Sequence, residues 1–200
     1  MRTALAAVLG CLLLLTGCSS LEGTGDKGFV TGDGTVRVVE AVDRGDPVDL
    51  RGEDLDGNPI DLADYRGKPV VVPVWGSWCG PCRAEAPDVV AAAEEIGDGA
   101  QFVGLNLRDQ STTSSQAFVR RFDVPYPSVF SPDGKAMLQF RGTIGPNSIP
   151  SFVVLDAEGR VAASILGPLP STQTLVDLVS DVSAESASPG PGAGEQTTDG

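Results

Sequence analysis

The chain has 200 residues, 27 acidic against 14 basic side chains, a formal net charge of −13 and no histidine. That length holds one domain with segments to spare and suffices to bury a core without staples. The acidity argues against a nucleic-acid partner, whose phosphates need basic patches, and favours solubility outside a membrane.

In chain order, Arg2 is a short basic start, Ala4 to Leu15 is apolar, and Leu15-Thr16-Gly17-Cys18 follows. The apolar run falls short of the roughly 20 residues that span a bilayer, so residues 1–17 read as a signal peptide. Its end resembles a bacterial lipobox, which implies lipid on Cys18 and attachment to the membrane through acyl chains. The competing reading is an ordinary secretory signal with an incidental cysteine. Of the four cysteines, Cys11 leaves with the signal and Cys18 carries lipid, so Cys79 and Cys82 remain as thiols. An exported chain that keeps one closely spaced pair uses it for chemistry.

Residues 18–44 read as a tether, because Ser19 to Thr35 is rich in Gly, Ser, Thr and Asp with little to bury. Such a stretch spans on the order of 20–25 Å; an ordered arm packed on the domain is the alternative. A domain over 45–182 then opens with a β-hairpin. Val48 and Leu50 alternate with polar neighbours, as do Ile60 and Leu62, around the turn Asp56-Gly57-Asn58-Pro59. The apolar run Val70 to Trp75 predicts a buried central strand. Pro73 inside it cannot donate to a ladder, so either the strand bulges there or that position faces away from a partner.

Cys79-Gly80-Pro81-Cys82 follows, and a helix is predicted from near Pro81 to Ile96. Unpaired N–H groups and the helix dipole favour a thiolate at Cys79, lowering its pKa from about 8.5 to roughly 3.5–7.5. Cys82, one turn on and less exposed, is placed to resolve a mixed disulfide. A zinc site would need two further ligands, and the chain offers neither histidine nor a second cysteine pair. Glu85 lies one further turn along a similar face. It is either a buried carboxyl tuned to exchange protons near neutrality or a solvated surface residue. Trp78 abuts Cys79 and reads as substrate-contacting surface; Trp75 reads as packing or partly exposed surface.

Beyond the helix, Phe102 to Leu107 is the next strand, and Ser111-Thr112 caps a helix to about Phe122. A strand at Ser128 to Phe130 follows, then one opening after Pro150. Arg160 to Leu166 reads as an edge strand and Ser171 to about Val182 as the last helix. Residues 183–200 lack large apolar side chains and are expected to be disordered.

The words Trp78-Cys79-Gly80-Pro81-Cys82 are those of the thioredoxin superfamily. Together with "DLDGNPIDLADYRGKPVVV" before them they resemble the TlpA/ResA-like branch and the related redoxin domains, over about residues 45 to 182. The resemblance implies an α/β thioredoxin-like fold with a mixed central sheet, helices on both faces and an added N-terminal β-hairpin. It implies a cis Ile149–Pro150 bond lying against the dithiol, with the Ile149 backbone presented to an extended substrate and Glu85 tuning the thiols. Thioredoxin carries a buried aspartate where this chain has Pro73. The implied activity is thiol–disulfide exchange without cofactor, by a monomer that reduces exported protein disulfides, including apocytochrome c haem-binding cysteines. A membrane electron donor would then re-reduce it. Two rivals are a thiol peroxidase of the redoxin type and a copper-binding assembly chaperone. The first lacks its Pro-x-x-x-Thr/Ser-x-x-Cys loop here, and the second needs a histidine that is absent.

Overall fold

A computed structural model describes residues 29–31 and 35–187. Cys18, residues 1–17 read as the signal peptide, and residues 188–200 of the C-terminal tail lie outside the described residues. Strand β5 (Val70–Trp75) is buried along all six residues, as expected of a strand covered on both faces. On one side it pairs antiparallel with β9 (Ser151–Leu155), which pairs with β10 (Val161–Leu166). On the other it pairs parallel with the two collinear strands β6 (Gln101–Phe102) and β7 (Gly104–Leu107). β8 (Ser128–Ser131) adds parallel to β7.

Pro73 resolves without a bulge. The register across to β9 is continuous, from Val72 opposite Val153 to Val74 opposite Ser151. Val71 accepts from the Val103 N–H at 3.0 Å, so its backbone groups face β6 and β7, and those of Pro73, two residues on, do likewise. Pairing there stops at Val71 with Phe102 and resumes at Val74 with Leu105. The missing donor of Pro73 falls in the break between β6 and β7.

The alternation along β5 sends Val71 and Trp75 to one face and Val70, Val72 and Val74 to the other. Helices α1 (Gly80–Ile96), α2 (Thr112–Phe122) and α3 (Thr172–Ala187) pack on the first face, with Val89, Phe118, Leu175 and Val179 buried against the sheet. The second face is covered by the 3-10 helix Lys135–Phe140 and by the hairpin of β3 (Arg51–Glu53) and β4 (Pro59–Asp61). That hairpin turns at Asp54, whose carboxylate accepts from the N–H groups of Asp56 and Asn58, each at 2.8 Å. A Cβ on Gly52 would lie 2.7 Å from Val129 Cγ1, so only glycine lets the hairpin approach β8.

Two boundaries differ from the sequence reading. Residues 18–44 are not a tether throughout: β1 (Phe29–Thr31) and β2 (Thr35–Val38) form an antiparallel pair, and β2 pairs with β10. Arg160 to Leu166 is therefore an interior strand and not an edge. Arg44, whose side chain is 2% exposed, holds this arm down. It donates to the Val39 carbonyl at 3.0 Å, to Asp156 at 3.3 Å and to Glu185. The last partner lies on α3, which continues to Ala187, beyond the expected end at Val182.

Candidate active site

β5 ends at Trp75, and Gly76, Ser77 and Trp78 carry the chain to Cys79, the N-cap of α1. The Cys82 N–H donates to Cys79 Sγ at 3.2 Å, which places that sulfur on the orphan amides of the first helical turn. The two cysteines form a disulfide. Both are buried, 3% and 2% exposed, so the expected contrast between them is small in this state. Trp75 is packing, stacked on Phe118 at 4.4 Å with its Nε1–H donating to Ser128 Oγ. Trp78 is 53% exposed beside the disulfide and is fastened through Nε1, which donates to the Leu107 carbonyl at 3.0 Å.

Ile149–Pro150 is cis. Pro150 is buried, and Ile149 packs on the apolar cluster that contains Cys79, Cys82 and Trp75. The cis-proline loop and the dithiol thus share one patch of core, with Trp78 beside Cys79 and exposed to solvent.

Glu85 is buried, and its Oε2 accepts from the Leu169 N–H at 2.8 Å. The reading of it as a solvated surface residue does not hold. It lines a small cavity with Cys82, Pro73, Trp75, Val124 and Tyr126. The cavity measures about 20 Å³, where one water needs roughly 10–15 Å³. Burial pushes the Glu85 carboxyl up to about 7, with a smaller rise from Asp88 and an opposing pull from the Leu169 N–H. A carboxyl that titrates near neutrality therefore shares a cavity with the inner sulfur, behind the proline that stands at the aspartate position of thioredoxin.

A second buried carboxylate escaped the sequence reading. Asp109, 3% exposed just beyond β7, accepts from the Ser77 N–H (3.0 Å) and the Ser77 hydroxyl (2.5 Å). It also accepts from the Asn106 amide (2.7 Å) and the Ser115 hydroxyl (2.8 Å). Burial alone would raise its pKa, but these bonds together carry it below the ordinary 3.8. The one sequence signal was Asn106, a polar residue between Leu105 and Leu107 in a strand otherwise apolar.

Among known proteins, the chain is similar to the thiol-disulfide oxidoreductase ResA of Bacillus cereus, 29% identical over 115 residues. That match covers 57% of this chain and 64% of ResA. The thiol:disulfide interchange protein HelX of Rhodobacter capsulatus is 34% identical over 112 residues, 56% of this chain and 60% of HelX. The chain spans less than two thirds of the length of these relatives. A solved DsbF homologue from Corynebacterium diphtheriae is 34% identical with a TM-score of 0.69, covering 76% of this chain and 96% of that one. The secreted thiol-disulfide isomerase of Corynebacterium glutamicum is 29% identical with a TM-score of 0.70, covering 78% and 96%. These neighbours carry the expected thioredoxin-like fold. The Redoxin family model matches residues 41–182, well over half of the chain and all of its catalytic-looking core, and the chain belongs to the Redoxin family.

Proposed function

We propose that the protein is an extracytoplasmic thiol–disulfide oxidoreductase that reduces disulfides of exported proteins through Cys79 and Cys82. The observation that carries this reading is Cys79 at the N-cap of α1, its sulfur on the Cys82 N–H, between an exposed tryptophan and a cis-proline loop. In the reduced protein that position favours the thiolate. Cys79 Sγ attacks one substrate sulfur, the substrate S–S bond breaks, and the other sulfur leaves as a thiolate. The Cys82 thiol gives its proton to the Glu85 carboxylate through their shared cavity and attacks Cys79 Sγ. The mixed disulfide breaks and releases the second substrate sulfur. Glu85 then returns the proton to solvent or to a departing thiolate. Two electrons have passed from the protein dithiol to the substrate, and Cys79–Cys82 is again a disulfide.

Trp78 and Ile149 form the two sides against which an extended substrate lies. The substrate class includes the haem-binding cysteines of apocytochrome c, as the family resemblance implies. Re-reduction falls to a membrane electron donor, and lipid on Cys18 holds the protein beside it. The secreted corynebacterial relative supports the setting outside the cytoplasm. No helix among the described residues is long and apolar enough to cross a membrane.

The test is the reduction potential of the pair, read from tryptophan fluorescence against a dithiothreitol couple, with Cys79→Ser as the inactive control. A value near thioredoxin's, about −270 mV, is expected of a reductant. A value near −120 mV, as in DsbA, would reverse the direction and make this an oxidant of exported thiols.

A further inference from the structure

Three consecutive residues at the end of β7 reach both sides of the dithiol. The Leu107 carbonyl accepts from Trp78 Nε1, and Asp109 accepts from the backbone and hydroxyl of Ser77, immediately before the Trp-Cys pair. Between them, Arg108 turns the other way. Its Nη2 donates to the Pro146 carbonyl at 2.7 Å and to Asn147 Oδ1 at 3.3 Å. Those residues open the turn that ends in the cis Ile149–Pro150 bond. The turn closes on itself through Ser148 N–H to the Gly145 carbonyl and Ile149 N–H to the Asn147 carbonyl.

The backbone explains how neighbouring side chains come to opposite duties. Arg108 has φ +59°, a left-handed conformation that a long side chain seldom adopts and that glycine would take freely. It is held there by its own N–H, which donates to the Ser131 carbonyl at 3.2 Å. The kink throws the exposed Arg108 guanidinium over the cis-proline loop and turns the Asp109 carboxylate inward under Ser77. A strained residue that persists beside a site is a reason to look for a role there. Among the described residues the exposed Arg108 side chain lies beside Gly134, and its guanidinium bonds are those to Pro146 and Asn147.

We propose that Arg108 and Asp109 are positioning residues that form a bracket across the substrate groove, Asp109 fixing the dithiol side and Arg108 fixing the cis-proline side. The inference rests on the exchange reaction proposed above and adds to it a division of labour. The dithiol side meets every disulfide. The cis-proline side meets only substrates long enough to lie along it. Loss of the Arg108 bonds should therefore penalise a protein disulfide more than a small one, and loss of the Ser77 bond should penalise both alike.

The experiment compares kcat/KM for reduction of insulin and of hydroxyethyl disulfide in the wild-type protein, Arg108→Ala and Ser77→Ala. Arg108→Ala is expected to lower the insulin value about tenfold more than the hydroxyethyl disulfide value, the scale of a hydrogen bond from a charged donor. Ser77→Ala is expected to lower both by about the same factor. Asn147→Ala keeps the Pro146 bond, and is expected to move the ratio in the direction of Arg108→Ala by about threefold. It serves equally well if Arg108→Ala does not fold. A ratio unchanged in both Arg108→Ala and Asn147→Ala overturns the bracket. Wild-type protein that reduces neither substrate would instead overturn the exchange reading on which it rests.

Discussion

Two carboxyl groups flank the dithiol, and the protein treats them in opposite ways. Asp109 sits under the loop before Cys79 and accepts four hydrogen bonds, from Ser77 twice, Asn106 and Ser115. Glu85 sits behind Cys82 with one, from the Leu169 N–H, among Val89, Phe118, Val124 and Phe152. Both are buried, and burial raises both, yet one titrates below its ordinary range and the other near 7. Burial therefore does not decide the charge of a buried acid here; the number of donors facing it does. The satisfied carboxylate is a fixed structural anion, and the poorly satisfied one titrates near neutrality beside Cys82. The front of the site is rigid and the back of it is titratable.

The largest expected effect comes from removing the rigid side. Asp109→Ala leaves the Ser77, Asn106 and Ser115 donors without their common acceptor. We expect a loss of about 3 kcal/mol in urea unfolding at pH 7, since each neutral buried donor left unpaired costs about 1–3 kcal/mol. The sign with pH follows from the direction of the shift. Asp109 has its folded pKa below the unfolded one, so its contribution is complete above about 4 and is lost as the pH falls through the folded value. Acid unfolding of Asp109→Ala should accordingly begin from a lower plateau with a shallower acid limb.

Glu85 works in the reverse sense and with a smaller amplitude. Its folded pKa of about 7 lies above the ordinary 4.5, so the folded protein binds the extra proton between these values. Stability from this group is complete below about pH 4.5 and is lost as the pH rises through about 7. Glu85→Gln keeps an acceptor for the Leu169 N–H and cannot ionise. It should be more stable than wild type at pH 8 by on the order of 2 kcal/mol, with the difference narrowing toward pH 5 and gone below about pH 4.5. The same variant should lose the step near pH 7 in the rate at which a mixed disulfide on Cys79 is resolved. If the wild-type and Glu85→Gln stability profiles run parallel from pH 5 to pH 8, the contrast between the two carboxylates collapses.

How far this was legible in the sequence depends on how local the signal is. Val70 to Cys82 is one contiguous strand, turn and helix start, so the dithiol, its helix and the strand below it were readable. The hairpin was readable because Asp54 to Pro59 contains its own turn chemistry. The Thr35–Val38 strand was not. It buries Val36 alone, and its partner β10 lies more than a hundred residues away, so four residues of alternation behind a Gly-rich run carry no signal of it. Missing it turned β10 into an edge. Pro73 looked like a fault because the strands that tolerate an unpaired position opposite it, β6 and β7, lie on another segment. Asp109 was invisible for the same reason, since Ser77, Asn106 and Ser115 converge on it from a loop, a strand and a helix. Glu85 stood between two readings until the pocket that buries it was assembled from β5, α2 and the Val124 to Tyr126 loop.

The smallest effect tests whether the rigid side is also closely packed. Gly76 lies between the last residue of β5 and Ser77, and the Trp78 indole folds back across it. A Cβ there would stand 2.6 Å from Trp78 Nε1 and 3.0 Å from the Leu107 carbonyl, the two atoms that share a hydrogen bond. The carbonyl belongs to a buried strand and cannot retreat, so the indole must move. Trp78 is half exposed and can swing outward at the expense of that hydrogen bond, which bounds the penalty for Gly76→Ala at about 1 kcal/mol. Asp109 still holds Ser77, so the dithiol itself should stay in place. The expected result is a modest drop in unfolding midpoint with a clear change in tryptophan fluorescence, because Trp75 remains stacked on Phe118 and only Trp78 moves. A loss well above that in stability, with unchanged fluorescence, would mean that the Asp109 anchor, not the indole, had given way.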